Sequence, residues 1–193
     1  MIIKMFGLIL FFSLSQSKNH LMHNLPMGEY RMEYDKIYQC ASTKNHSIQF
    51  NLYLNKKTLS IKELKGNITF LIPFDDTLAI DINSTSWDLT GGWKPNSNII
   101  TIRKACSGIK YFLGSAWITI QKGFNIPTDN CPLPAGTYLT SGIDLKNLEV
   151  SNFPKVYFYG KYKLVLFYKN AKNEEVGCLV MEVNLIRPWE TPL

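Results

Sequence analysis

Apolar and polar residues alternate along most of this chain. Because successive side chains of a strand point to opposite faces, a period of two predicts strands with one face on a core and the other in water. About seven such segments, separated by turn residues, are typical of an antiparallel β-sandwich or open barrel. We therefore predict a mainly all-β fold. The alternating apolar positions are Tyr30, Met32 and Tyr34; Ile48, Phe50, Leu52 and Leu54; Ile68, Phe70, Ile72 and Phe74; Leu78, Ile80 and Ile82; Tyr162, Leu164, Leu166 and Tyr168; and Leu179, Met181, Val183 and Leu185.

Breaks in the alternation predict turns and one helix. Gly91-Gly92, Pro95 to Asn98 and the polar stretch from Asn170 to Glu175 predict turns between strands. Another segment has the helical period, and it predicts one short helix near 102–116. Its apolar residues, at i, i+4, i+7 and i+11, are Ile102, Cys106, Ile109 and Leu113. No repeat or low-complexity linker divides the chain, so we expect a single domain over residues 18–193.

The first seventeen residues predict a signal peptide. Lys4 supplies a positive start, Met5 to Leu14 is apolar, and Ser15-Gln16-Ser17 is a small-x-small cleavage site. The apolar run is too short to span a membrane as a helix. Cleavage after Ser17 would remove Lys4 and lower the formal net charge of the chain from +6 to +5. We expect secretion to the extracellular space, with the lysosome as the alternative destination.

In a secreted protein, the four cysteines are expected to form disulfides and the three N-x-S/T sequons are expected to be accessible to glycosylation. Cys40, Cys106, Cys131 and Cys178 are an even set without a C-x-x-C pair, which favours two disulfides over zinc or redox chemistry. Spacing alone leaves all three connectivities open. Three N-x-S/T triplets predict a glycoprotein modified at one or more of these positions. The candidate asparagines are Asn45, Asn67 and Asn83.

The sequence offers little catalytic chemistry. A Ser-His-acid triad needs a held histidine, and the three histidines fall near the new N-terminus or beside a turn. Asp75-Asp76 is better explained as a turn than as a glycosidase carboxylate pair. Nucleotide-binding and nucleophile-elbow motifs are absent from the sequence. We therefore predict a non-enzymatic protein without a cofactor or metal. Its lysines are scattered rather than clustered, which disfavours nucleic acid and suits anionic lipid headgroups or plain solubility.

The C-terminal third carries an ordered set of motifs. Cys131 to Tyr138 is a C-P-x-x-x-G-T-Y run, and Gly160-Lys161-Tyr162 follows Pro154 and an apolar loop. Val176 to Leu179 then opens the last predicted strand. Together, these motifs resemble the ganglioside-activator-like branch of the ML lipid-recognition superfamily, and within it the secreted insect proteins, including the chemosensory B type. The resemblance is strong over 106–185, weaker over 30–102 and absent from the signal peptide.

The resemblance implies a β-cup, in which two sheets part to leave an apolar cavity for acyl chains. It also implies that Cys40 pairs with Cys178 and that Cys106 pairs with Cys131. Further loop cysteines of the ganglioside activator are missing from this chain. The resemblance therefore leaves open a differently shaped cavity rim.

Two groups of residues are candidates for lipid contact. Six strand residues suit either a cavity wall or an ordinary solid core: Phe50, Leu52, Ile80, Ile82, Leu164 and Leu166. Four more lie in the apolar loop that corresponds to the membrane-engaging loop of the activator: Phe153, Val156, Tyr157 and Phe158. That loop suits either a cavity rim with membrane contact or a strand start packed on the core. Trp87 and Trp93 are weaker rim candidates, because a lone Trp is more often core.

These patterns lead to two hypotheses of function. The first is a secreted lipid-binding or transfer protein that holds the tails of an amphipathic ligand between two sheets. Presentation of lipid to a hydrolase or chemosensory signalling are the roles the resemblance implies, with transient membrane contact. The alternative is an extracellular interaction module with a solid core, which docks on a receptor or enzyme through its apolar loop.

Overall fold

The computed structural model describes residues 25–41, 45–58, 61–88, 90–148 and 152–190. The predicted signal peptide, residues 1–17, lies outside these ranges. The elements are β1 (Met27–Glu29), β2 (Arg31–Gln39), β3 (Ile48–Lys56), β4 (Lys62–Phe70), β5 (Ala79–Trp87), β6 (Trp93–Ile102), α1 (Ala105–Leu113), α2 (Ser115–Gly123), β7 (Gly136–Asp144), β8 (Val156–Phe158), β9 (Gly160–Lys169) and β10 (Glu175–Ile186). A 3-10 turn, Leu145–Asn147, follows β7.

The strands form three antiparallel sheets. One has five strands in the order β2-β10-β9-β5-β6, the second has three in the order β3-β4-β7, and β1 pairs with β8. Side chains from both larger sheets share one hydrophobic core, in which Phe50 of β3 contacts Tyr168 of β9 with ring centroids 5.1 Å apart. The fold is therefore a mainly all-β sandwich, as the alternation predicts. No helix within the described ranges is long and apolar enough to cross a membrane.

The alternation translates directly into buried and solvent-facing sides. Along β3, Ile48, Phe50 and Leu52 are buried, whereas Asn51 and Tyr53, on the opposite face of the strand, are exposed. The polar Asn170–Glu175 segment joins β9 to β10 as predicted: the side-chain Oδ1 of Asn170 accepts hydrogen bonds from the backbone amides of Lys172 and Glu174. Local side-chain chemistry thus sets this hairpin.

The helical region is longer than the periodicity predicts. Ile102 ends β6, α1 begins at Ala105, and a second helix, α2, follows immediately. Gly114 separates the two with φ of 56°, a conformation that non-glycine residues seldom adopt. The predicted segment at 102–116 therefore covers α1, and α2 adds a second helix that packs against β7.

Strand β6 runs through residues that the sequence pattern assigns to a turn. Its register with β5 shifts between Ser84 and Ser86, which pair with Asn98 and Lys94 respectively, so residues 95–97 form a bulge. Pro95 is tolerated there because β6 is at the edge of its sheet and a proline has no N–H for a ladder.

Both disulfides are formed. Cys40 joins Cys178 with Cα atoms 5.5 Å apart, and Cys106 joins Cys131 with Cα atoms 5.9 Å apart. This is the pairing that the resemblance implies. The first bridge links the end of β2 to β10, and the second ties α1 to the segment before β7. The first bridge therefore connects residues 138 positions apart in the sequence, and the second connects residues 25 positions apart.

Candidate functional site

A cavity of about 440 Å³ lies between the five-stranded and three-stranded sheets. Its size falls within the range of roughly 300–1,000 Å³ that is typical of small-molecule sites. Strands β2 to β6, β9 and β10 and both helices contribute lining side chains. Side chains from both larger sheets and from the helices therefore enclose the cavity.

The boundary between packed core and cavity falls within single strands. Ile48 of β3 and Ile80 of β5 are both 0% exposed and do not line the cavity. Two residues further on, Phe50 and Ile82 do line it. We call the first region the closed end, defined by Ile48, Ile80, Cys106 and Cys178, and the second the cavity end, defined by Leu54, Ile82 and Leu164.

The structure brings seven of the ten predicted lipid-contact residues to the cavity. These are Phe50, Leu52, Ile82, Phe153, Tyr157, Leu164 and Leu166. Ile80 lies in the closed end instead, because the sheets meet there. Val156 and Phe158 lie on the protein surface, 46% and 53% exposed.

The apolar loop turns out to contain a short strand. β8 pairs with β1, so that Met27 faces Phe158 and Glu29 faces Val156 across the ladder. Strand alternation turns Tyr157 inward, where its ring is 5.7 Å from that of Tyr162, and turns its neighbours Val156 and Phe158 to solvent. Met27, Val156 and Phe158 form an exposed apolar surface that we call the rim patch.

Lining residues that are also exposed mark the mouth of the cavity. They are Asn98 and Ile100 on β6 and Pro154 in the loop before β8. The loop is held against α1, because the ring of Phe153 contacts that of Phe112 at 5.9 Å and Asn152 donates a hydrogen bond to the backbone oxygen of Tyr111. The mouth therefore lies between the edge strand β6 and the loop that carries Phe153.

The cavity wall is almost entirely apolar. No Lys, Arg, His, Asp or Glu lines it within the described part of the chain. Its polar lining consists of Ser84, Asn98, Gln121 and several tyrosines. Burial raises the pKa of the Tyr34, Tyr162 and Tyr168 hydroxyls above the ordinary value, so they are neutral at physiological pH. Such a wall can accept hydrocarbon and neutral polar groups, but it would oppose burial of a charge.

The helices supply a wall that the strand pattern alone does not predict. Trp117, Gln121 and Phe124 lie at i, i+4 and i+7 on α2 and at its end, and all three are buried against the cavity. The Trp117 indole donates a hydrogen bond of 2.6 Å to the backbone oxygen of Asp129. Their helical spacing is the signal that could have identified this wall.

Charged clusters lie on the outside of the sheets. Glu182 of β10 is buried, lies 3.5 Å from the Lys161 ammonium and accepts a hydrogen bond from the Tyr38 hydroxyl. Lys161 also contacts Asp35 at 2.7 Å, and this hydrogen bond lowers the pKa of the Asp35 carboxyl. The Lys163 ammonium lies 4.3 Å from the ring centre of Trp93. This network stabilises the outer face and takes no part in the cavity.

The remaining candidates are distributed as follows. Asn45 is exposed before β3, whereas Asn67 in β4 and Asn83 in β5 are half-buried. Trp87 and Trp93 pack edge-to-face at the β5–β6 hairpin. Buried His46 lies 3.1 Å from the carboxylate of Glu175. Within the described residues, no group of three His, Cys, Asp or Glu side chains could hold a metal ion.

No protein-family model matches the chain, and neither does any curated protein.

Proposed function

We propose that this chain is a secreted, non-enzymatic lipid-binding protein of the ML type, which holds the apolar tails of an amphipathic ligand between its two sheets. The observation that carries the proposal is the apolar cavity of about 440 Å³, with a wall free of charged side chains in the described ranges. The pairing of both disulfides agrees with the same family. The sites proposed for lipid contact are the cavity wall and the rim patch.

The cavity is of a size that suits one hydrocarbon chain. A volume of about 440 Å³ lies within the roughly 300–1,000 Å³ that is typical of cavities for organic ligands. A dozen buried methylenes would gain roughly 10 kcal/mol at ~0.8 kcal/mol each, before the cost of ordering the ligand and protein. Burial of the tail therefore supplies a large favourable contribution without a charged anchor in the cavity.

The position of the mouth suggests how a lipid would enter. Asn98 and Pro154 belong to the mouth, and the rim patch begins beside Lys155, which is also exposed. An exposed apolar patch next to a cation suits contact with a membrane that contains anionic lipid. We infer that the rim patch touches the membrane while the tail moves into the cavity, and that Asn98 lies near the headgroup.

Native and denaturing mass spectra of the secreted protein test the proposal. The expected result is an excess mass in the native spectrum that disappears on denaturation and is recovered as lipid in an organic extract. Protein stripped of lipid and mixed with neutral and anionic phospholipid vesicles should regain that mass. A protein that carries no lipid and takes none up would contradict the proposal.

That negative result would favour the alternative, an interaction module that docks on a receptor or an enzyme. The observation in its favour is the exposure of Val156 and Phe158. The discriminating measurement is then pull-down with the wild-type protein and with Val156→Asp/Phe158→Asp. A partner that is lost in the variant would support docking through the rim patch.

A further inference from the structure

One polar side chain inside the cavity wall stands apart from the others. Gln121 of α2 is 3% exposed and lines the cavity, and its side-chain Oε1 is buried with no hydrogen-bond partner within the described part of the protein. A buried acceptor without a partner costs free energy, and native proteins carry few of them. Because the Gln121 residue borders the cavity, a ligand held there is one source of the missing donor.

The surroundings of Gln121 leave its side chain without an internal donor. One turn earlier, the Trp117 indole is satisfied by the backbone oxygen of Asp129. The backbone oxygen of Gln121 is also satisfied, because the amide of Ile126 donates to it at 3.0 Å. The polar groups next to the Gln121 side chain therefore have hydrogen-bond partners, whereas its Oε1 has none among the described residues.

The chemistry of the wall defines the missing donor. Cations are excluded as donors, because no carboxylate lines the cavity in the described ranges and burial of an unpaired charge is unfavourable. The donor must therefore be neutral, and a hydroxyl is the simplest neutral donor that an aliphatic ligand can carry. A plain hydrocarbon or an ether of the same length would leave Oε1 unpaired.

We propose that Gln121 is a specificity-determining residue, which accepts a hydrogen bond from a hydroxyl on the buried part of an otherwise apolar, uncharged ligand. The inference rests on the proposed lipid-binding function and adds a ligand class to it: aliphatic alcohols and other hydroxylated neutral lipids. Gln121 lies on the helix wall, whereas the other amide that lines the cavity, Asn98, is exposed on edge strand β6. The two amides therefore contact different parts of the ligand.

Gln121 also borders a smaller pocket of about 220 Å³ on the other side, lined by residues that include Lys122, Thr128 and Asp129. This pocket provides a competing explanation, in which a water held there donates to Oε1. In that case a ligand hydroxyl would gain nothing over an ether. The same pair of probes therefore decides between ligand and water.

The test is to compare binding of dodecan-1-ol and dodecyl methyl ether to lipid-free protein by competition with a fluorescent fatty-acid analogue. In wild-type protein we expect the alcohol to bind about tenfold more tightly, the usual scale of one buried hydrogen bond. Gln121→Met, which has similar volume and no acceptor of this kind, should remove the preference and leave ether binding intact. Gln49→Met, at a glutamine of β3 that does not line the cavity, is the matched control and should keep it.

Each outcome is decisive. Equal affinity for alcohol and ether in the wild type would overturn the inference and assign the acceptor to water only. A preference that survives in Gln121→Met would overturn it too. Failure of both probes to displace the analogue would overturn the inference, whereas the mass spectra described above decide the proposed function separately. Thermal unfolding identifies a folding defect in Gln121→Met, and Gln121→Leu provides a second variant that lacks the acceptor.

Discussion

The two ends of the sandwich use the same strands and the same residue types for opposite purposes. At the closed end, Ile48 and Ile80 are wholly buried, and a Cβ at Gly177 would lie 2.9 Å from the Cβ of Ile48. At the cavity end, Ile82 and Leu164 are only half-buried and face the space between the sheets. Both disulfides involve cysteines of the closed end. We infer that stability is concentrated at one end so that the other can stay open.

The largest expected effect comes from the disulfides of the closed end. Cys40→Ser/Cys178→Ser should reduce the free energy of unfolding by up to ~5 kcal/mol, because the bridge closes a loop of 138 residues. Cys106→Ser/Cys131→Ser should cost up to ~3.5 kcal/mol, since its loop spans 25 residues. Thermal unfolding with and without reductant checks both. An unaltered melting temperature under reduction would argue against this role of the bridges.

The sharpest comparison uses one substitution at two adjacent inward positions of β5. Ile80→Ala should cost about 2–5 kcal/mol, because it opens a void in packed core. Ile82→Ala should cost about 1–2 kcal/mol, because its side chain is half-buried and already borders the cavity. Urea unfolding of lipid-free protein measures both. Equal losses would mean that the packed core extends past Ile82.

A smaller effect is expected from the turn that starts the closed end. The Asp76 carboxylate accepts hydrogen bonds from the Ser107 amide and hydroxyl at the start of α1, and these bonds lower the pKa of the carboxyl from its ordinary value. A pKa that is lower in the folded state stabilises the protein above the unfolded value, and this contribution is lost as the pH falls through the folded value. We therefore expect the wild type to lose stability below about pH 4.

Asp76→Asn and Ser107→Ala should each flatten this acid dependence. Chemical unfolding at pH 7 and pH 3 provides the measurement. The acid loss will persist in part, because Asp35 and Asp81 also have lowered pKa values through contacts with lysines. If the free energy of unfolding falls between pH 7 and pH 3 by the same amount in both variants as in the wild type, Asp76 does not contribute to the acid dependence.

The smallest stability effect, and the largest functional one, is expected at the rim patch. Val156→Asp/Phe158→Asp should change the free energy of unfolding by no more than about 0.5 kcal/mol, since both side chains are exposed. Lipid transfer between vesicles should nevertheless fall about tenfold, because charge replaces the apolar contact with the membrane. Leu139→Asp, at an exposed leucine of β7, is the matched control. Transfer that is equal in the double variant and wild type would remove the rim assignment.

Much of the sandwich could be predicted, because a strand with one face on the core and one in water must alternate apolar and polar residues. β3, β9 and β10 each have one face on the core, so their apolar residues recur every second position. Pro95 led to the prediction of a turn in place of β6. An edge strand with a bulge tolerates such a residue, although it normally marks a turn. The sequence pattern does not predict helix α2, because Gly114 interrupts the helical stripe and the polar Gln121 occupies a buried position of it.

The cavity itself could not be predicted from residue types. Ile80 and Ile82 are identical residues on one face of one strand, yet only the second lines the cavity. The difference depends on what packs against each residue, and segments distant in the sequence, such as α2 and the loop at Phe153, also line the cavity. Val156 and Phe158 illustrate the same limit, because an apolar loop sequence does not reveal which residues the β1–β8 ladder turns outward.

The order of strands also has a consequence for how this chain emerges during synthesis. The three-stranded sheet is complete once residue 144 has been made, but β2 and β5 must wait for β10 and β9, which end at residues 186 and 169. Through that interval, β2 lacks its partner β10 and β5 lacks its partner β9, so both strands belong to an incomplete sheet. Exposed strands of this kind are prone to aggregate. We therefore expect the nascent chain to depend on chaperones until its last long strand is available.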